Sequence, residues 1–137
     1  MATVIEERRL ELLAAIQTPN DIIPAWRTHA FPPSNLVAPC VYLDMPRLYY
    51  LNQWVTADWP IVAVVDSQDI SALSALDQLV SVIWDRLSLV DGTIPQSATA
   101  GSIDVGGVRL RSYEIVATTA LTPETLCPAI TLEYERV

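Results

Sequence analysis

The chain has 137 residues, half of them apolar, and a formal net charge of −8. That length and composition supply one domain, 1–137, with its own core. Eight arginines, no lysine and an acidic balance exclude a surface built to grip nucleic-acid phosphates. The longest apolar runs, such as Ile61 to Val65, fall far short of the roughly 20 residues that cross a bilayer, so the chain reads as soluble and unsecreted, with no membrane partner.

Thr3-Val4-Ile5-Glu6 fits a capping box, in which the threonine oxygen accepts from an orphan N–H and the glutamate reaches back to the cap. A helix is expected from there to Thr18-Pro19-Asn20. Ile5, Leu12 and Ile16 fall on one stripe, Leu13 lies at its edge, and Glu7 and Glu11 lie opposite. Arg9 projects from the apolar side, which fits either a snorkelling head that reaches water or a contact with a neighbouring subunit.

From Pro24 to Pro46 prolines punctuate the chain, and each fixed dihedral lowers the entropy lost on ordering, so this is a rigid connector. Val41 to Leu43 reads as a short strand. Leu48 to Trp59 mixes aromatic and polar residues and fits a strand, an extended loop or a hairpin arm. Trp59 to Asp66 is a β-branched run without alternation, which predicts a strand covered on both faces.

Ser67 to Asp69 offer caps for a long helix with Leu73, Leu76, Val80, Ile83, Trp84 and Leu87 on one stripe, ended by Asp91-Gly92. Residues 93–102 are small and polar and fit a loop or a weakly patterned strand. Gly106-Gly107, between Ile103-Asp104-Val105 and Val108-Arg109-Leu110, predicts a two-residue hairpin turn. The apolar parity changes between Leu110 and Tyr113-Ile115, which requires a bulge or a change of covered face near Ser112. After Thr122-Pro123 a last strand alternates Ile130, Leu132 and Tyr134 with Thr131, Glu133 and Glu135. The order predicts an α+β fold: a mixed or antiparallel sheet of about four to five strands, a long helix packed on one face, and an N-terminal helix.

Signals for chemistry are thin. His29, the single histidine, has no serine, cysteine or acid placed by a motif to complete a catalytic set. Asp66 and Asp69 at a strand-to-helix junction suit a metal in principle, and equally suit helix capping. Cys40 and Cys127 each neighbour a proline and have no second cysteine nearby; they read as buried thiols, with a long-range disulfide left open. Four glycines and no Gly-rich turn before a helix leave both phosphate-cradle signatures missing. No catalytic, metal or cofactor-binding residue is assigned. Tyr49, Tyr50 and Trp54 lack a clear buried face; core packing is the default for each, and together they are candidates for an intersubunit contact, because aromatics are enriched at interface centres.

The opening amphipathic helix, the connector FPPSNLVAPCVYL, the strand WPIVAVVDS, the helix LSALDQLVSVIWDRL and the closing segments IDVGGVRLRSYEIVATTAL and CPAITLEYERV together resemble the tail terminator proteins of long-tailed bacteriophages. The resemblance spans nearly the whole chain. It implies a homohexameric ring that docks on the last ring of tail tube protein, halts further addition, and presents its other face to a head-completion or connector protein. It implies no catalysis and no cofactor, and a place in the virion after assembly in the host cytoplasm. On this reading Arg9, Tyr49, Tyr50, Trp54, Arg109 and Arg111 are the candidate subunit or tube interface. Glu133 and Glu135 are the candidate acidic lining of a channel through which DNA passes without specific binding. A head-to-tail connector or head-closure protein is the alternative.

Overall fold

The computed structural model describes residues 4–17, 27–51, 54–66 and 70–121. The elements run α1 (Val4–Gln17), β1 (Thr28–His29), β2 (Cys40–Leu43), β3 (Arg47–Leu51), β4 (Trp54–Val65), α2 (Ile70–Ser88), β5 (Thr93–Val105) and β6 (Val108–Leu121). The class is α+β, as expected. Six strands form one mixed sheet in the order β1-β2-β4-β6-β5, and β3 pairs with β4 off that path. Among the described strands only β1 and β2 pair in parallel.

The strand β4 explains this layout. Its second half, Ile61 to Val64, pairs with β2, while Trp54 to Asp58 pairs with β3, so two short strands follow one another along the same side of β4. Asp44 N–H donates to the Pro60 carbonyl at 2.8 Å and carries the hydrogen bonding across the gap. The ambiguous aromatic segment therefore spans both arms of an antiparallel hairpin, β3 and the start of β4, with Leu51 opposite Trp54.

The odd-numbered residues of β4, Val55, Ala57, Trp59, Ile61, Ala63 and Val65, face the helices with Ile115, Ala117 and Leu121 of β6. Leu12 and Ile16 from α1 and Leu76, Leu79, Ile83 and Leu87 from α2 close over them. Burying a side chain of this size contributes about 1.5–3 kcal/mol, so this layer carries the fold. The observed α2 stripe is turned toward Leu79, leaving Trp84 only half-buried. The cap signals at Thr3 and Ser67 to Asp69, the stop at Thr18 to Asn20, and the last strand with Cys127 lie outside the described residues.

Strand β4 is covered on its second face only over its far half. There Val62 and Val64 pack with Cys40 and Leu110, and Leu36 and Ala38 of the proline-rich connector lie against them. The connector is thus a lid on one end of the sheet, and the unbroken apolar run Ile61 to Val65 is the part beneath it. Nearer the start of β4 the same face carries Thr56 and Asp58 and has no covering layer among the described residues.

The parity change in β6 has its cause here. The β4–β6 register runs without a break from Val55–Leu121 to Val65–Arg111, so no bulge lies near Ser112. Leu110 is buried against the connector side, whereas Ile115 is buried against the helices: the covered face changes, and the strand does not. A bulge exists elsewhere, between Pro95 and Ser97 of β5, the segment left open between loop and strand. The predicted turn is present, with Gly106 at φ 58° and Gly107 at φ 83°, left-handed values that a two-residue hairpin turn demands and glycine alone adopts freely.

Candidate assembly surfaces

Arg9 lies inside the molecule. It is 4% exposed, and its guanidinium stacks 4.1 Å from the Phe31 ring centroid and 5.1 Å from that of Trp59. It donates to the Ala30 carbonyl, reaches the Asp44 carbonyl at 3.5 Å, and places Nη2 3.7 Å from Met45 Sδ. Among the described residues no carboxylate pairs with it. Burial lowers its pKa, and the nearby Asp44 charge opposes that. This corrects the expectation of a snorkelling or intersubunit arginine: one side chain ties α1 to the connector, to the β2–β3 link and to the core tryptophan. Phe31 and Met45, the two residues it holds, remain 53% and 62% exposed.

On the uncovered sheet face, the Tyr49 hydroxyl donates to Asp58 Oδ1 at 3.1 Å and the Thr118 hydroxyl donates to the same oxygen at 2.6 Å. Three strands are thereby pinned by the one part-buried carboxylate of Asp58. Tyr49 is a surface residue, not the core residue of its default reading, and its hydroxyl is engaged. Tyr50 and Trp54 sit in the β3–β4 hairpin, and their side chains lie outside the described residues.

Arg109 and Arg111 stand at the other end of the sheet. Arg109 Nε lies 3.4 Å from Asp104 Oδ1, both side chains being about two-thirds exposed. Arg111, also exposed, lines a groove between α2 and the β5–β6 hairpin with Leu73, Leu76, Asp77, Ala100 and Tyr113. From the level of Tyr49 to that of Arg111 is about 30 Å along β6 at strand rise. The six candidates therefore divide into an interior tie, an aromatic zone and a basic hairpin zone. Glu133 and Glu135 lie outside the described residues.

Sequence reasoning missed Asp58, Phe31 and Met45. The signal for Asp58 was present, a carboxylate within an otherwise apolar and β-branched strand. A further depression on the open face, lined by Tyr42, Asp44, Thr99, Ser112 and Glu114, was not foreseen either. Burial chiefly raises the Tyr42 pKa, with the charges of Asp44, Cys40 and Glu114 adding to it. Asp66 is exposed at the end of β4, and Asp69 lies outside the described residues. Among the described residues no three histidine, cysteine or acidic side chains come together as a metal set. Among them, too, no helix is long and apolar enough to cross a membrane.

Among solved structures the fold finds a clear likeness. The fold is similar to that of a chain in the virion of a native gene transfer agent (GTA) particle, at a TM-score of 0.58 and 14% sequence identity. The match covers 82% of this chain and 94% of that one. At that identity it establishes a shared fold. No protein-family model and no curated protein matches the sequence.

Proposed function

We propose that the chain is a structural virion protein that forms a ring, homohexameric by resemblance, at the end of a phage tail tube. There it ends tube growth and joins the tail to the head-completion proteins. The observation that carries this reading is the fold it shares, over 82% of this chain and 94% of the other, with a component of a gene transfer agent virion. The sequence resemblance to tail terminators supports the finer assignment. The chain acts by shape and catalyses nothing: a subunit repeated around an axis caps the tube without offering a new polymerisable face. A connector stiffened by prolines and laid flat on the sheet suits rigid docking, since little freedom remains to be lost on binding.

The test is direct. Purified protein added to growing tail tubes should stop elongation and leave a terminal ring visible by electron microscopy. Tubes that keep growing while filled heads acquire the protein would transfer it to the head-closure class.

A further inference from the structure

Among the described residues, one sheet edge is left without the protection that natural edges carry. Strand β5 ends the sheet, and from Ser97 to Ser102 every residue is exposed. The stretch Ser-Ala-Thr-Ala-Gly-Ser holds no charge and no proline; the bulge after Pro95 lies before it and the Asp104–Arg109 pair beyond it. Exposed edges are normally blunted by charges, prolines or bulges because their free N–H and C=O groups invite another strand. Beside this edge runs the groove floored by Ala100 and Tyr113 and walled by Leu73 and Leu76 of α2. An edge with a helix-lined groove next to it is a common receptor for an added strand, the main chain giving affinity and the groove taking alternate side chains.

We propose that this edge takes residues Ile130–Glu135 of a second copy of the chain as an antiparallel strand. The pattern fixes which face the strand shows, a slip of two residues preserving it, and the proposal commits to one register. With Ile130 opposite Ser102, Leu132 falls opposite Ala100 and Tyr134 opposite Ala98, positions that share a side with Arg111, Tyr113 and Ile115. The three apolar residues then face the groove, whose edge side presents only small side chains. A slip by one residue would turn them to the open face.

Reach excludes the same pairing within one chain. Ser102 lies beside Arg111, about 34 Å back along β6 from Leu121 and one strand spacing to the side, and a partner beyond it stands two spacings away. The eight residues 122–129, even fully extended, bring Ile130 only about 30–32 Å from Leu121. A strand handed from each copy to the next is a heterologous contact, the kind that closes rings. The choice of a second copy as occupant rests on the ring-forming reading above.

Two differently tagged proteins test it, one carrying Ala100→Cys and the other Leu132→Cys, both with Cys127→Ser. They are mixed with growing tail tubes and oxidised. A disulfide between the two tags is expected, and Met45→Cys, exposed in the β2–β3 link on the opposite side of β4 from this edge, should give none with Leu132→Cys. A bond that forms only inside a doubly substituted single chain, a bond from position 100 to another protein, or no bond at all overturns the proposal. Deleting residues 130–137 gives a second reading: the circular dichroism spectrum should persist while self-association is lost, and a truncated chain that still assembles overturns the proposal. The two readings fail separately. Truncated protein that still caps tubes sinks the strand exchange and leaves the capping function standing, whereas cross-linked rings that never halt a tube do the reverse.

Discussion

A buried arginine with no carboxylate partner among the described residues is costly unless its protons are satisfied, and Arg9 meets that condition with main-chain carbonyls and two aromatic faces. Replacing Arg9 with alanine removes both and leaves the Ala30 carbonyl short of its donor. The expected loss is about 3 kcal/mol, from charged hydrogen bonds of about 1.5–3 kcal/mol and stacking of about 0.5–2 kcal/mol that are not fully additive. Arg9→Lys should recover little, because an ammonium has no plane to lay between two rings. Urea unfolding measures both. The heptad-like position of Arg9 was legible in the sequence, but its partners were not. Phe31 and Trp59 come from distant parts of the chain, and nothing in the local pattern shows a connector folding back over the first helix.

Titration gives a second prediction at this scale. Burial raises the Cys40 pKa, with Arg27 opposing, and burial with neighbouring negative charge raises that of Tyr42. Both folded values exceed the unfolded ones, so the unfolded chain loses its protons first. Stability should therefore be full below about pH 8.5 and decline as pH rises through the unfolded thiol and phenol values of about 8.5 and 10. Tyr42→Phe should flatten the upper part of that decline and Cys40→Ala the lower part, read as unfolding midpoints between pH 7 and 11.

At the level of elements, the β5–β6 hairpin runs past the last β4 pairing at Arg111, so its tip depends heavily on its own turn. A side chain at Gly107 would meet nothing within 4 Å, and its φ of 83° is disfavoured for any branched residue. Gly107→Val should then cost about 1–2 kcal/mol by conformation alone, measured by thermal unfolding, with no change in the helix signal. The Gly-Gly turn was readable because two adjacent glycines between apolar alternations have few other uses. The helices were readable from their stripes, though the exact rotation of α2 was set by what the sheet offered to Leu79. Residues 93–102 were not readable as a strand: small polar residues carry no periodicity, and only pairing with β6 makes them extended.

For the whole molecule, the class followed from element order, but the sheet's closure did not. The sequence showed that the second face of Ile61–Val65 needed cover; it could not show that the cover was the proline-rich connector, since proline fixes local direction and says nothing of where a segment lands. The interface candidates were chosen by residue type, and three dimensions sorted them by address: one inside, one group at the β3–β4 hairpin, one at the hairpin tip.

Strand β6 is bonded along nearly its whole length on both flanks, to β4 and to β5. Any tension entering through the chain beyond Leu121 is therefore shared by two ladders in shear, which must slip together, and does not unzip pairs one after another. If that stretch is what one copy lends to the next, the joint between copies is anchored at the mechanically toughest strand of the sheet, and pulling on the assembly should peel the lent segment away before the subunit itself comes apart.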